Sequence, residues 1–276
     1  MAVSAPDDIP LMRRGSPFWL EWAMNPLWED GRAEVAEYDA EQELEGESRR
    51  FTLTQITGKQ EFSQQFNVQT SQRGIRDAFP VLQLTQLYSV PGQPYPQHVQ
   101  VCQVFRRDQP VQLHKLTATV QEWGGSVFKT LTDDGLQYQQ QYNSYQEGEG
   151  AGQRLLHRGV LVEDALPYTL RSLSFEKKPA FAARIYELQQ TSHASAPSLY
   201  KARIQVEEAA AADTPEPAWR VRVRLSATRE NVYWFARSYP NVLLRQTTWN
   251  GRRLWLKRLS RVPMRTPADS AAAPGA

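Results

Sequence analysis

The chain has 276 residues, of which 41% are hydrophobic, 22% charged and 11% aromatic, and its 32 Lys and Arg against 30 Asp and Glu leave a formal net charge of +2. That length supports one large domain or two small ones with an ordinary core, and the near-neutral balance makes no demand for nucleic acid or an anionic membrane as partner. One cysteine, Cys102, excludes an internal disulfide, and no apolar run approaches the ~20 residues of a transmembrane helix.

Residues 1–17 read as a flexible lead. Met1 to Pro10 is polar and acidic, so no signal peptide is visible, which fits either a cytoplasmic protein or a trimmed mature chain. Phe18, Trp19, Trp22, Met24, Leu27 and Trp28 recur at three to four residues and predict a short amphipathic helix. Pro26 ends that helix before Asn25. Arg32 to Leu44 is open between two readings. Ala33, Ala36, Ala40 and Leu44 have helical spacing in a Glu- and Ala-rich segment, whereas Gly31 and Gly46 suit a strand entering a hairpin.

From residue 50 the period becomes two. Phe51 and Leu53, Leu82 and Leu84, Val99 to Phe105, Val111 to Trp123, and Leu136 to Tyr142 alternate between Gly-, Pro-, Asn- or Asp-bounded turns, as strands do. Residues 91–97, with three prolines, and 147–152, with three glycines, read as loops. Leu166, Leu170 and Leu173 share a helix face over 163–173, with Glu163 and Asp164 in the first turn, favourable at the positive end of the helix dipole. Trp219, Val221, Val223 and Leu225 alternate with Arg220, Arg222 and Arg224, giving a strand with one buried and one basic face. Residues 207–217 read as a linker. Val242–Trp249, Asn250-Gly251 and Arg252–Val262 predict a hairpin with a type I′ turn, and residues 263–276 a disordered tail. The whole is a mainly β domain over 18–262: one large curved antiparallel sheet or partial barrel with one or two short helices.

Strong catalytic signatures are missing: no phosphate-binding glycine loop, no dinucleotide fingerprint and no nucleophile elbow. His98, His114, His157 and His193 match no metal spacing. His98 and His114 approach each other if 98–105 and 111–123 pair as a hairpin, but no carboxylate completes a site. The arginine ladder at 220–224, with Arg245, Arg252, Arg253, Lys257, Arg258 and Arg261, is a basic patch or a solvated face neutralised across the sheet by residues such as Gln205 and Glu207. Asp30, Glu34, Glu122, Glu149, Glu163 and Asp164 are carboxylates for acid–base chemistry if two of them meet, and otherwise turn, cap and surface groups. Trp123, Tyr138, Tyr142 and Tyr145 line a concave ligand face or belong to the core.

Several blocks in order resemble an uncharacterised family of bacterial proteins: Trp28-Glu29-Asp30-Gly31-Arg32-Ala33-Glu34, Pro80 to Leu84, Gln121-Glu122-Trp123-Gly124-Gly125, Ser144-Tyr145 with Gly148-Glu149, and Glu163-Asp164-Ala165-Leu166. The family runs W-x-D-G-[KR]-A-E, P-V-L-K-L-N, Q-E-W-C-G, S-Y-x-x-G-E and E-D-A-L, and the likeness spans residues 18–175. It implies that Arg32–Leu44 is the first strand. It also implies residence in the cell envelope, because members usually begin with a secretion or lipoprotein signal. Some members carry the name of the Maf septum-formation inhibitors, but Met12-Arg13-Arg14-Gly15-Ser16-Pro17 is not the S-x-S-P-R-R motif of that activity. The family places Cys where this chain has Gly124.

The resulting expectation is a non-enzymatic envelope-type protein, without cofactor or metal. It binds a lipophilic or extended ligand, or a partner protein, through Trp123, Tyr138, Tyr142 and Tyr145. The alternatives are a hydrolase using paired carboxylates and an interaction module using the basic sheet face.

Overall fold

The computed structural model describes residues 16–44, 46–70 and 77–264; most of the lead and tail expected from the sequence, 1–15 and 265–276, lie outside them. Pro263 and Met264 do not belong to a tail: Pro263 pairs with Arg32, and the Met264 amide donates to the Gly31 carbonyl at 3.0 Å.

The protein is mainly β, with 57% of residues in strands and 9% helical. Alternating side chains make long strands here because one face of each finds the same core. The first nine strands are β1 (Arg32–Leu44), β2 (Glu47–Ser63), β3 (Val68–Gln69), β4 (Ala78–Val90), β5 (Gln97–Arg106), β6 (Leu113–Glu122), β7 (Gly125–Asp133), β8 (Gln137–Asn143) and β9 (Ala151–His157). After the short β10 (Leu161–Val162), the chain leaves the sheet as helical turns at Glu163–Ala165, α1 (Leu166–Thr169), Leu170–Ser172 and Phe175–Lys177. It returns as β11 (Ala180–Tyr186), β12 (Leu199–Glu208), β13 (Ala218–Arg224), β14 (Glu230–Ala236), β15 (Leu243–Thr247) and β16 (Arg253–Pro263). All sixteen strands form one sheet, ordered from β10 to β16, then β1, β2 and β4 to β9, with the small β3 on β2. It is not closed into a barrel. Neighbours are antiparallel except β10 and β11, which pair over two residues.

Arg32–Leu44 is the strand that the family likeness implied. Its helical propensity is overridden because β2 pairs with it from Glu34↔Thr57 to Leu44↔Glu47 and β16 covers its other edge from Arg32↔Pro263 to Glu41↔Arg253. The amphipathic segment at 18–28 forms two 3-10 turns, Leu20–Met24 and Pro26–Glu29, broken at Asn25, whose side chain accepts the Leu27 amide. Helical turns over 163–172 are also as expected, Pro167 falling in the first turn of α1, where no amide is needed. Glu207 and Glu208 end β12 rather than opening a linker, and Leu136 precedes β8 as an exposed turn residue. The 243–263 hairpin exists, but only Gly251 of its Asn-Gly pair has a positive φ, +82°. The connection runs from Thr248 to Arg252, with the Gly251 amide bonded to the Thr248 carbonyl, a longer loop than a type I′ turn.

The concave face holds the core. Leu53, Leu82, Leu84, Val101, Leu116 and Leu131 point inward from one half, and Ile204, Val221, Val223 and Phe235 from the other. The helical turns and the 18–29 segment pack between them. Trp22 meets Trp28 at 5.7 Å and Tyr168 at 5.4 Å, and Tyr168 stacks on Phe105 at 4.2 Å. Each such side chain withdrawn from water contributes about 1.5–3 kcal/mol. Glu34, 4% exposed, grips Arg171 through two bonds of 2.8 and 2.9 Å and so fastens these turns to β1.

Candidate functional site

The connection between β11 and β12, residues 187–198, crosses the concave face as an irregular strap. Backbone outside a ladder must find other partners when buried, and side chains supply them here. Asp164 accepts the Gln189 amide at 2.7 Å, the Gln190 amide at 3.1 Å and the Gln190 side-chain amide at 3.2 Å. Gln140 donates to the Gln189 side chain at 2.6 Å. Arg252 bonds Gln190 at 3.0 Å, Tyr88 at 3.0 Å and Gln42 at 3.1 Å. Lys129 donates to Thr191 Oγ1 at 2.8 Å and to the His193 carbonyl. Farther along, Glu149 accepts the Ala194 amide at 2.8 Å, Ser144 at 2.6 Å and His193 at 3.2 Å. Buried glutamines, which a core seldom uses, become intelligible here: Gln140 bonds the strap, Gln103 donates to the Asp164 carbonyl in the helical turns at 2.9 Å, and Gln42 holds Arg252, which bonds Gln190.

Burial pushes the Asp164 carboxyl up, opposed by the Gln189 amide, and pushes Glu163 up in the same way against Asn231. Lys129 is drawn down to about 8 by burial, against the upward pull of Asp164 and Glu149. The cavity left beside Glu163, Asp164 and Arg252 measures about 30 Å³, room for about one water molecule. At this point of the concave face packed side chains leave little space, and a larger opening lies at the rim.

There, the β6–β7 turn, the 143–150 loop and the 91–96 loop surround a groove of about 500 Å³. Trp123 stands over it 76% exposed, with Tyr95 and Tyr145 also exposed. Glu122 organises the floor: it accepts Tyr145 at 2.5 Å, Ser192 at 2.6 Å and the Gln97 amide. Burial pushes Glu122 up, but the donors Ser192, Tyr145 and Gln97 outweigh it and hold the group below its usual range, as a carboxylate. Ser144 and the Ala194 amide lower Glu149 likewise. The two glycines after Trp123 make room for Tyr145. A Cβ on Gly124 would lie 2.8 Å from the Tyr145 ring, and one on Gly125, at φ +149°, 2.8 Å from its Cβ. A cysteine at 124, as in the resembled family, would meet that ring.

Of the four aromatic residues expected to bind together, the structure brings Trp123 and Tyr145 to one groove and leaves the others apart. Tyr138 is fully buried, its hydroxyl bonded by Gln112 at 2.8 Å, and Tyr142 lies under the Arg154 guanidinium at 4.2 Å. The motif residues are mainly fasteners. Trp28 is core; Asp30 takes Arg261 at 2.7 Å and caps the Arg32 amide; Gly31, at φ +69°, turns the chain into β1. Glu163 takes Asn231 at 2.7 Å. Glu122, Glu149 and Asp164 share no site with one another as reacting groups, but all hold the strap. His98 and His114 sit at opposite ends of the β5–β6 pair, His98 facing Gln121 and His114 lying beside the Phe105↔Leu113 end, so they do not meet. The sequence-based hairpin was right; antiparallel pairing carries its two histidines apart. Cys102 is half-buried beside Thr85, its thiol pushed up by burial, and is not activated.

Arg222 and Arg224 pair with Glu230, Arg220 with Glu207, Arg253 with Glu43, Lys257 with Asp39 and Arg258 with Glu37. The outer part of the basic patch read from the sequence is thus an ion-pair lattice, whereas Arg252 is buried among neutral partners and Arg245 donates to the Asp213 carbonyl at 3.1 Å. Sequence reasoning missed Tyr95, Ser192 and the strap itself, whose residues Leu188 to Ala194 carry no periodic signal. No described helix is long and apolar enough to cross a membrane, and the described residues hold no group of three or more His, Cys, Asp or Glu suited to a metal ion. No family model, curated protein or solved structure matches the chain.

Proposed function

We propose that the protein binds an extended ligand without chemically altering it, along the groove beneath Trp123, Tyr145 and Tyr95. The exposure of Trp123 carries this reading. A large ring left in water beside a pre-formed groove, and backed by a floor of saturated hydrogen bonds, is a contact surface rather than part of a core. The open groove favours an extended chain over a lipophilic molecule buried in the concavity. Glu122 and Glu149 give less support to a hydrolase, since their oxygens are engaged and neither is poised near neutral pH to donate a proton. The family likeness supports an envelope location of lipoprotein type for this binding role.

Native mass spectrometry of the protein from a bacterial host, beside Trp123→Ala prepared identically, tests the proposal. The expected result is an adduct that leaves on denaturation and is depleted at least fivefold in the variant, or, without an adduct, binding on peptide and glycan arrays that the variant loses. Equal adducts, or equal array profiles, refute it.

A further inference from the structure

A second hollow, of about 540 Å³, adjoins the first on the outer face of β2, β4, β5 and β6. Its floor follows from the register: Leu87 faces Gln100, Ser89 faces His98, His98 faces Gln121 and Gln100 faces Thr119. Arg50 and Thr52 extend the floor from β2. Pro91 lines both hollows, and Tyr95 meets His98 edge-on at 5.2 Å, so a ligand leaving the Trp123 groove around the 91–96 loop enters this one.

None of the twelve lining residues is Asp or Glu. The outer arginines of β13 and β16 are paired, but the Arg50 guanidinium has no partner among the described residues. Glu41, opposite Arg50 in register, receives Ser48 and lies 4.0 Å from Arg253. The hollow is also lined by neutral hydrogen-bonding groups: Thr52, Gln100, Thr119, and Ser89, whose hydroxyl lies 2.6 Å from His98 Nδ1. Leu87 gives an exposed apolar surface beside them.

We infer that this hollow is an anion subsite: the ligand carries a carboxylate, phosphate ester or sulfate ester that Arg50 receives, with an apolar portion over Leu87. A guanidinium fork matches such oxyanions, and the hydroxyls and amides that line the hollow supply neutral hydrogen bonds, while Glu41 across the ladder is already engaged by Ser48 and Arg253. The inference rests on the ligand-binding reading and names the ligand's charge.

Two probes of nearly the same shape test it: 8-anilinonaphthalene-1-sulfonate and the uncharged N-phenyl-1-naphthylamine, titrated at about 0.15 M salt. Expected is single-site binding of the sulfonate, about fivefold tighter than the neutral probe, the size of one exposed ion pair. Arg50→Gln removes that preference and leaves the neutral probe unchanged, Arg50→Lys restores part of it, and Leu87→Ser weakens both probes. Trp123→Ala leaves the preference intact. An unchanged sulfonate affinity in Arg50→Gln overturns the subsite. Loss of the preference in Trp123→Ala but not in Arg50→Gln overturns it too, while the Trp123 reading stands. All three positions are exposed, and equal melting temperatures verify folding.

Discussion

Replacing Glu34 by Ala removes the carboxylate that faces Arg171 in the interior. Both side chains are 5% exposed, and the two bonds between them are 2.8 and 2.9 Å long. The variant leaves the guanidinium with one bond, from Nε to the Pro240 carbonyl at 2.9 Å, and two nitrogens without acceptors. Breaking a buried pair by removing one member costs about 3–5 kcal/mol. The faces of Trp22 and Trp28, 5.2 and 5.9 Å from the guanidinium carbon, attract it in parent and variant alike and leave the difference unchanged. A loss of about 3 kcal/mol, the lower end of that range, lowers the melting temperature of a protein of this size by roughly 6–12 °C. Urea unfolding followed by tryptophan fluorescence gives the free energy directly, because Trp22 and Trp28 lie at the lesion. The double variant Glu34→Met, Arg171→Met removes both charges and returns to within about 1 kcal/mol of the parent, since apolar replacement of a whole pair is often neutral. A single-variant loss below about 1 kcal/mol, or a double variant as weak as the single, would refute the reasoning.

Lys129 has a folded-state value near 8 against about 10.4 unfolded. The unfolded chain therefore binds more protons between these values, and stability rises with pH across them, by at most about 1.4 kcal/mol per unit. Lys129→Met flattens the rise between pH 8 and 9.5 in urea titrations, and an unchanged slope contradicts the assignment. Asp164→Asn removes one acceptor from the strap, so hydrogen exchange at the Gln189 and Gln190 amides speeds up about 10- to 100-fold, the equivalent of one hydrogen bond to a charged group; unchanged protection there is the adverse result. Gly124→Ala pushes the Tyr145 ring away from Glu122, with a loss of about 1 kcal/mol and weaker binding in the rim groove; a gain in stability runs against the close contact. Trp123→Ala stays within about 0.5 kcal/mol of the parent, as exposed substitutions do, and a larger loss shows that the ring supports the fold.

Alternation in the sequence carried the strands of residues 51–143 because each has one face on the core. It could not settle Arg32–Leu44, where alanines at helical spacing also alternate as a strand at Ala36, Tyr38, Ala40 and Gln42; the pairing partners lie at both extremes of the chain. Trp123 and Tyr145 were visible as aromatic candidates, and the structure adds that the glycines between β6 and β7 exist to admit Tyr145. Tyr138 and Tyr142 look the same in sequence, yet one lies in the core and the other under Arg154, because facing depends on register. The motif carboxylates were conspicuous, but their targets are amides and hydroxyls of the strap, which has no pattern of its own. Arg50 was not singled out at all, because its lack of a partner depends on how Glu41, opposite it in register, is taken up by Ser48 and Arg253.

The strand order, read from β10 to β16 and on from β1 to β9, is a simple meander whose chain starts and stops in its middle. During translation, β1 and β2 emerge together, but the other edge of β1 waits for β16; Glu37 and its partner Arg258 are 221 residues apart. A bare strand edge is a template for pairing with foreign chains. While it waits, β1 displays Glu37, Asp39 and Glu41, a row of like charges that repels a second copy of itself. β16 arrives with a row that matches it residue by residue, Arg253, Lys257 and Arg258. The ion pairs along this seam, each worth little in the finished protein, thus act as an address label that admits β16 and turns away strangers.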